Sequence, residues 1–523
     1  MSQSTLQDIQ PVPDSKKLLS NETLFLLSFA FLKLALHFYV NLTGGYGYFR
    51  DELYYAACAE HLDLGYVDQP PLSIYILAVS RFLFGDSIFA LRLLPAIAGA
   101  ATVFFAGLIA RELGGKKFAQ GIACIAAVLS PVYLSMSTFY SMNSFDILLW
   151  TLCTFVLITL LKTESPTYWL LLGCLLGLGL LNKIGVLWLG FGIFVGLLVT
   201  GNRRWLTTRW PWVAGLLAFM LFLPYIIWNI QHDFAHLEFI QNATARKYSG
   251  VTRLDFILGQ ILLQSPAALP LWLAGLWFFF SKEQKVFRLL GWVYVGAAFV
   301  LLANGHSKPE YLAPIYATMF AAGAVALEQW IERRNWRWMK PTYSLVLLTG
   351  IAITPLGFPI LPVETYIKYA DTLGFEPPTA EGHELEKLPQ FYADMFGWEE
   401  KAAAVAKVYH ALPDSDKAKC AIFGDNYGRT AAIDYFRKKY DLPQSVGRHN
   451  SYWVWGPRDY TGELVLILGG DLEDKQQNFE SVEIAGVVTC EYCMPYENNL
   501  RIYVCRNMKT PLKDMWNSLK NFI

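Results

Sequence analysis

The sequence predicts a polytopic α-helical membrane protein of about eleven transmembrane helices, followed by a mixed α/β domain outside the bilayer. The 523-residue chain is 54% hydrophobic and only 16% charged, which is too apolar for a soluble protein of this length. Long apolar runs alternate with short basic segments over roughly the first 340 residues, whereas residues 361–523 have the mixed composition of a soluble domain. Aromatic residues make up 15% of the chain, which suits a protein with two membrane interfaces.

Apolar runs of about 20 residues, the length that crosses a bilayer, define the candidate spans. They lie at residues 22–40, 89–110, 118–135, 144–161, 167–181, 184–200, 211–229, 255–280, 288–303, 311–328 and 342–360. No small-residue cleavage pattern follows the first run, so we expect an uncleaved helix there. The predicted regions are a cytoplasmic segment at 1–21, a transmembrane domain at 22–360 with a large first outer loop at 41–88, and an extracytoplasmic domain at 361–523.

The charge of the connecting loops predicts the orientation. Alternate loops are rich in Lys and Arg, and this set should face the cytoplasm. The cations concerned are Lys16, Lys17, Arg111, Lys116, Lys117, Lys162, Arg203, Arg204, Arg209, Lys282, Lys285, Arg288, Arg333, Arg334, Arg337 and Lys340. An odd number of spans then places the C-terminal domain on the periplasmic or outer side of the inner (plasma) membrane. A span count wrong by one would place that domain inside.

The C-terminal region has the pattern of a mixed α/β domain. We expect strands near 419–423, 463–469, 484–490 and 501–505, and helices near 398–411 and 428–439. Four cysteines lie here, Cys420, Cys490, Cys493 and Cys505, and an outer location allows one or two disulfides among them. Cys490 and Cys493 form a CxxC motif, which on its own is a weak indication of a metal or redox site.

Three acids are candidates for catalysis. Asp51 and Glu52 begin the first outer loop, and adjacent side chains on a helix point about 100° apart, so we expect them to have different partners. A carboxylate at the rim of an apolar cavity can act as a general base, although a solvated acid capping a short helix has the same sequence pattern. Asp146 lies in the first turn of the fourth span, behind Asn143 and Ser144 as cap candidates. It is either a functional intramembrane acid or a complement to the helix dipole.

Several cations and a tyrosine lie in the loops on the cation-poor, outer side of the predicted bundle. Lys183 occupies a tight turn between two apolar helices, Lys308 and Tyr311 lie at a helix mouth, and Arg246 and Lys247 lie in the second large outer loop. Cations converging on one leaflet suit a phosphate ester at the membrane surface. Each of them taken alone could equally extend to lipid headgroups.

Other classes of protein have little support in the sequence. Lys plus Arg equals Asp plus Glu at 43 each, so the net charge gives no indication of nucleic-acid binding. There is no Walker loop, no GxGxxG opening a helix and no HExxH motif. A transporter or lipid flippase is the main alternative, but paired Gly/Pro-broken spans in two matching halves are not apparent. A polysaccharide polymerase or ligase would share the carrier lipid and differ in having a lipid-linked acceptor.

Six segments together resemble one family. They are YGYFRDELYYAACAEHLDLGYVDQPPL, FALRLLPAIAGA, FYSMNSFDILLW, GLGLLNKIG, PYIIWNIQHDFAHLEF and SKPEYLAPIY. This set is similar to the GT-C glycosyltransferases of the family 39 type, which include protein O-mannosyltransferases and bacterial lipid A aminoarabinose transferases. The segments LPQFYADMFGWEE, DNYGRTAAIDYF and HNSYWVWGP look like the C-terminal domain of many bacterial members.

The resemblance implies inverting transfer of a sugar from a polyprenyl phosphate to an extracytoplasmic acceptor. It assigns Asp51 as the base, Glu52 as its acidic neighbour and Asp146 as a second acid near the cavity. The residues expected at the donor phosphate are Lys183, Lys308, Tyr311, Arg246 and Lys247. Those expected at the sugar or acceptor are Tyr66, Asp68, Gln69 and His232. We expect no required cofactor, since a divalent cation bridging Asp51 and Asp146 would have a thin ligand set. No extended basic lipid-A-binding signature is apparent, so the resemblance does not imply the acceptor. The sequence does not identify the sugar.

Overall fold

The computed structural model describes residues 20–377 and 385–523. Most of the predicted N-terminal segment, including Lys16 and Lys17, lies outside the described residues. Residues 20–356 are almost wholly helical. The α-helices are Asn21–Thr43, Arg50–Glu60, Leu72–Phe84, Ile88–Glu112, Lys117–Leu129, Pro131–Met136, Met142–Thr163, Thr167–Asn182, Val186–Val199, Trp210–Gln231, Ala235–Arg246, Arg253–Leu262, Leu269–Phe280, Arg288–Asn304, Tyr316–Arg334 and Met339–Leu348, with 3-10 helices at Gly201–Thr207, Pro266–Ala268, Pro309–Ile315 and Thr349–Leu356.

Within the described ranges, five helices are long and apolar enough to cross a membrane, and the number rises to seven if each of two bent pairs forms one span. The five are Asn21–Thr43, Ile88–Glu112, Met142–Thr163, Trp210–Gln231 and Pro309–Arg334. Four shorter apolar helices, Leu72–Phe84, Lys117–Leu129, Thr167–Asn182 and Arg288–Asn304, complete this set. The count of eleven spans stays a prediction.

Two of the predicted spans are broken at a proline. The run at 118–135 divides at Ser130, whose backbone is extended before Pro131, as expected for a residue that precedes proline. The run at 255–280 divides at Ser265, which has a φ of 71° before Pro266, and the two halves are bent by 87°. Periodicity and hydropathy do not register such breaks, because both halves remain apolar.

Glycines allow very close approach between helices in the bundle. A Cβ on Gly275 would lie 2.3 Å from the carbonyl oxygen of Met319, and one on Gly323 would lie 1.8 Å from that of Leu271. Helices Leu269–Phe280 and Tyr316–Arg334 are therefore in backbone contact. Small residues at a helix interface have this function in membrane proteins, where close packing replaces the hydrophobic effect as the driving force.

The C-terminal region contains a five-stranded sheet. Its strands are β1 Cys420–Gly424, β2 Val446–Gly447, β3 Leu464–Leu468, β4 Phe479–Val488 and β5 Leu500–Met508. The order is β2-β1-β3-β5-β4. Strand β1 is parallel to β2 and β3, and β5 is antiparallel to both of its neighbours. The prediction of a mixed α/β region is confirmed, with β2 as the strand that the sequence did not predict.

Helices Trp398–His410 and Tyr427–Tyr440 cover one face of this sheet, where Val405 and Ile433 pack with Ile422 and Leu466. The remaining helices of the region are short. They are Val363–Thr372, Gln390–Ala393, Asp414–Lys417, Ser451–Val454, Leu472–Asn478 and Leu512–Met515, with 3-10 turns at Pro495–Glu497 and Trp516–Leu519.

The predicted first outer loop, residues 41–88, and the C-terminal region meet at one end of the helical bundle. The loop forms helices Arg50–Glu60 and Leu72–Phe84, close to the amphipathic stretches at 51–62 and 71–84 in the sequence. The Ser451 hydroxyl accepts from the backbone N–H of Val67 at 3.3 Å, and the Gln444 amide lies 3.0 Å from His61 Nε2. The candidate site lies in the layer between these two parts.

Candidate active site

Asp51 lies in the first turn of helix Arg50–Glu60, and its side chain is 36% exposed. The hydroxyl of Tyr427, from the C-terminal region, donates to Asp51 Oδ1 at 2.8 Å. Arg50 Nε lies 3.8 Å from the same oxygen. Asp51 is thus an accessible carboxylate held on one side by a phenol and a guanidinium, which leaves its other side open to a ligand.

Glu52 has quite different surroundings, as the 100° separation predicts. Its side chain is fully buried and accepts from Arg92 Nη2 at 2.8 Å and Arg92 Nε at 2.9 Å. It also accepts from the backbone N–H groups of Phe49 and Tyr140, each at 2.8 Å. These contacts join the start of helix Arg50–Glu60 to helix Ile88–Glu112 and to the turn that holds Tyr140. They fit a positioning role for Glu52 and not the predicted catalytic role, because both of its oxygens are occupied by protein donors.

Arg50 joins the first turn of this helix to the C-terminal region. Its guanidinium donates to the Tyr496 hydroxyl at 2.7 Å and lies 3.3 Å from the Asp394 carboxylate. The same group lies 5.2 Å from the ring centre of Tyr427. Arg50 therefore fixes the backbone from which Asp51 projects.

Asp68 is the second carboxylate of the site. It accepts from the Tyr54 hydroxyl at 2.8 Å, and Tyr54 accepts in turn from the backbone N–H of Ser451. Burial raises the pKa of Asp68 to about 6, an effect that nearby Asp51 increases and Lys247 opposes. Asp51, Asp68 and Lys247 thus lie near enough to interact electrostatically.

A second group forms around Lys183, at the end of helix Thr167–Asn182. Lys183 Nζ donates to the Asn143 side-chain oxygen at 2.8 Å and lies 3.8 Å from Asp146 Oδ2. It also lies 5.2 Å from the ring centre of Tyr311. The cap of helix Met142–Thr163 is Ser141 and not Asn143 or Ser144. Asn143 is therefore available to hold the lysine.

The remaining predicted cations lie around the same end of the bundle. Lys308 Nζ lies 4.6 Å from the ring centre of Tyr248 and 3.9 Å from Glu310 Oε1. Lys247 contributes to the field at Asp68, whereas Arg246 is exposed in the last turn of helix Ala235–Arg246. Lys183 and Lys308 thus share Tyr311 as a neighbour, whereas Lys247 lies near Asp68.

The two groups meet through Tyr55. Its hydroxyl accepts from the backbone N–H of Met142 at 3.3 Å, at the start of the helix that carries Asn143 and Asp146. Tyr55 follows Asp51 by four residues, so the two side chains share one face of their helix. The carboxylate of Asp51 and the ammonium group of Lys183 thus belong to two groups that are linked through helix Arg50–Glu60.

Three predicted sugar or acceptor contacts have structural partners or deep burial. The Tyr66 hydroxyl donates to the carbonyl oxygens of Cys58 and His61 and is almost fully buried. His232 Nδ1 bonds the Trp228 carbonyl, and its ring stacks on that indole at 4.1 Å. Gln69 is 1% exposed. The contacts of Tyr66 and His232 fit roles in shaping the loop, because their polar atoms are used within it.

Several residues of the site were not predicted. The tyrosines of the site have no local pattern in the sequence that marks them. Tyr427 and Tyr54 donate to the two carboxylates, and Tyr55 accepts from Met142. His236 was within reach of prediction, since it lies in the same outer loop as His232. Its Nδ1 bonds the Val67 carbonyl at 2.9 Å, beside Asp68, and burial lowers its pKa to about 4.

Comparison with known sequences agrees with this architecture. Residues 68–228 match the family described as dolichyl-phosphate-mannose-protein mannosyltransferase. The chain is 24% identical over 324 residues to a lipid A galacturonosyltransferase of Rhizobium johnstonii, covering 60% of this chain and 66% of that protein. It is 26% identical over 274 residues to an undecaprenyl phosphate-α-4-amino-4-deoxy-L-arabinose arabinosyl transferase of Proteus mirabilis, covering 48% of each. The match thus spans less than two thirds of either relative.

The fold is shared with a solved structure. The crystal structure of ArnT from Cupriavidus metallidurans bound to undecaprenyl phosphate superposes with a TM-score of 0.62 at 11% identity, covering 92% of this chain and 98% of that one. At this identity the match reports the fold alone, and it includes both the bundle and the C-terminal region. The chain therefore has the GT-C fold, and its resemblance to glycosyltransferases of the family 39 type is confirmed.

Proposed function

We propose that the chain is a membrane glycosyltransferase that moves a sugar from a polyprenyl phosphate to an extracytoplasmic acceptor with inversion. One observation carries this proposal. An accessible carboxylate, Asp51, lies at the end of the bundle where Lys183, Lys247 and Lys308 also lie. The relatives add support, because their names specify sugar transfer and, for the Proteus mirabilis protein, an undecaprenyl phosphate donor.

The lysine side of the site is proposed to hold the donor phosphate. Lys183 donates to Asn143 and lies over Tyr311, while Lys308 lies over Tyr248. These ammonium groups would offset the charge that builds on the phosphate as the glycosidic bond breaks. Polyprenyl phosphate leaves as a stable anion, so no acid has to protonate it. Asp146 balances Lys183 and thereby fixes its position in this scheme.

Asp51 is proposed to take the proton of the acceptor hydroxyl or amine as that group attacks the anomeric carbon. General-base assistance of this kind contributes about 10²- to 10⁴-fold. Tyr427 and Arg50 hold one side of the carboxylate, so its remaining lone pairs point toward the approaching acceptor. Displacement from the face opposite the phosphate inverts the anomeric centre. Asp68, with its raised pKa, is proposed to hold a hydroxyl of the sugar or acceptor.

The orientation follows from the loop charges and is part of the proposal. The cation-rich ends of the helices face the cytoplasm, and the end carrying Asp51, Lys183 and Lys308 faces the periplasmic or outer side. The C-terminal region lies at that same end and would cover the reaction from outside. The donor would then enter from within the outer leaflet, and the acceptor would be a lipid, glycan or protein on that side.

The test is transfer by the purified protein with a panel of polyprenyl-phosphate sugars, read by mass spectrometry of the products. We expect one donor to be consumed, and Asp51→Asn to lower the rate by at least 10²-fold while binding of the carrier lipid is kept. The matched control is Asp371→Asn, an exposed acid of helix Val363–Thr372, which should leave the rate unchanged.

Two results would contradict the proposal. Full activity of the Asp51→Asn protein would exclude Asp51 as the base. Carrier-lipid translocation in vesicles without any glycosylated product would instead favour a flippase.

A further inference from the structure

The loop between β4 and β5, residues 489–499, brings a dithiol next to the candidate active site. It carries Cys490 and Cys493 at its start and Tyr496 and Glu497 near its end. Tyr496 accepts from Arg50, the residue beside Asp51. The CxxC motif therefore lies on the loop that contacts the first turn of the catalytic helix.

The two cysteines are arranged as a pair. The Cys493 thiol donates to the Cys490 carbonyl at 3.2 Å, which holds its sulfur over the start of the loop. The backbone N–H of Cys490 donates to the Asn498 side chain at 2.8 Å and closes the loop on itself. Cys490 is partly exposed and Cys493 is buried. In such an arrangement the exposed thiol reacts with an external disulfide, and the buried thiol then attacks the mixed disulfide.

Lys401 supplies the charge that such a pair needs. It is fully buried in helix Trp398–His410, where its Nζ has no hydrogen-bond partner among the described residues and lies 3.5 Å from Glu497 Oε2. The point where a Cβ on Gly397 would lie is 2.7 Å from Cys490 Sγ and 3.1 Å from Lys401 Nζ, so the sulfur and the ammonium are neighbours. The neighbouring Cys493 side chain and the charge of Lys401 lower the pKa of Cys490, against the effect of burial.

We propose that Cys490 and Cys493 form a redox-active dithiol–disulfide pair in which Cys490 is the attacking thiolate and Lys401 stabilises it. The oxidant is a disulfide, either of a small thiol or of a protein. Cys490 attacks one sulfur of that disulfide and releases the other as a thiolate. Cys493 then loses its proton to water and attacks Cys490 Sγ, releasing the second thiolate. Two cysteine thiols lose two electrons and two protons, and the oxidant gains them as two thiols.

This inference goes beyond the proposed transfer reaction and does not depend on it. The loop that carries the pair also contacts the neighbours of Asp51. Its Glu497 accepts from Arg429 at 3.0 Å and from Asn426 at 2.8 Å. Asn426 caps the helix that begins with Tyr427, the partner of Asp51.

The experiment equilibrates the full-length purified protein in buffers of varied reduced-to-oxidised glutathione ratio, followed by acid quenching, alkylation and peptide mass spectrometry. We expect a reversible disulfide between Cys490 and Cys493, while Cys420 and Cys505, buried in β1 and β5, remain thiols. Thiols at both positions at every ratio would overturn the proposal.

Two variants assign the roles of the two sulfurs and the lysine. In Cys493→Ser, oxidised glutathione should leave a stable mixed disulfide on Cys490, and its absence would overturn the assignment of the attacking thiol. In Lys401→Met, iodoacetamide should alkylate Cys490 at pH 7 roughly tenfold more slowly than in the unchanged protein. An unchanged rate in a Lys401→Met protein that melts normally would remove Lys401 from the pair.

Discussion

The Tyr427 hydroxyl and the Asp51 carboxylate lie 2.8 Å apart although 376 residues separate them in the sequence. Tyr427 is itself fixed, because its backbone N–H donates to His449 Nδ1 at 3.3 Å and His449 Nε2 bonds the Ile523 carbonyl oxygen at 2.6 Å. Burial lowers the pKa of His449 to about 3, so this imidazole stays neutral and keeps one donor and one acceptor nitrogen. The C-terminal region thereby orients the proposed base.

Removal of this hydroxyl should impair catalysis without unfolding the chain. We expect Tyr427→Phe to lower the transfer rate by roughly tenfold, the cost of one lost hydrogen bond to a charged group, with little change in the KM for the donor. The control is Tyr460→Phe, which removes a hydroxyl bonded to the Gln444 carbonyl away from Asp51. A similar loss in both variants would show that the effect is not specific to Asp51.

The buried pair of Glu52 and Arg92 should determine stability. Glu52→Gln leaves Arg92 buried without its counter-charge, and loss of one partner of such a pair costs about 3–5 kcal/mol. The matched control is Glu60→Gln on the same helix. Glu60 is 30% exposed and its partner Arg81 is 14% exposed, so this substitution should lower the free energy of unfolding by less than about 1 kcal/mol. Thermal unfolding in detergent measures both, and equal melting temperatures would contradict the positioning role of Glu52.

Lys308 should affect the donor more than the acceptor. We expect Lys308→Met to raise the KM for the polyprenyl-phosphate sugar by roughly tenfold or more, since a charge-assisted contact to phosphate is lost. Lys162→Met is the control. Lys162 pairs with Glu112 in the last turn of helix Met142–Thr163, at the end opposite to Asp146. If both variants raise the KM equally, the phosphate assignment is wrong.

The stability of the C-terminal region should depend on Asp434. Burial raises its pKa to about 6 while it accepts from the Ser445 N–H and the Tyr452 hydroxyl. The folded state thus holds this proton more tightly than the unfolded state, in which the pKa is near 3.8. The stabilisation by this proton is complete below about pH 4. The free energy of unfolding then falls by about 3 kcal/mol as the pH rises to about 6.

The Asp434→Asn substitution removes this titration while keeping an acceptor for Ser445. Its melting temperature relative to the unchanged protein should therefore rise between pH 4 and pH 7. Asp371→Asn should show no such trend, because that acid is exposed. A constant difference for Asp434→Asn across this range would contradict the assignment.

The sequence predicted features that depend on neighbours along the chain. Apolar runs marked the helices, residue patterns located β1 and β3 to within one residue and β5 to within three, and the spacing of Asp51 and Glu52 required different partners. The resemblance added the proposed roles of Lys183 and Lys308. The predictions of helices, strands and separate partners succeed because period, length and local charge are properties of a short segment, whereas the roles of Lys183 and Lys308 stay predictions.

Contacts between distant segments were not predictable in this way. Nothing near Glu52 indicates that Arg92 will neutralise it, and nothing near Asp51 indicates Tyr427 as its partner. The two-residue strand β2 is too short to show any alternation, and it forms only because β1 provides an edge. The break at Ser130 follows from proline geometry that hydropathy does not include, and the break at Ser265 has a positive φ that hydropathy does not indicate.

The backbone contact at Gly275 and Gly323 restricts how a lipid could reach the reaction space. An isoprenoid chain is several ångströms thick, and it cannot pass between two helices at a point where their main chains are in contact. In the proposed reaction, a polyprenyl donor would therefore enter by a route other than the contact between these two helices. A bulkier residue at Gly275 would force these helices apart, because its Cβ would lie 2.3 Å from the Met319 carbonyl oxygen.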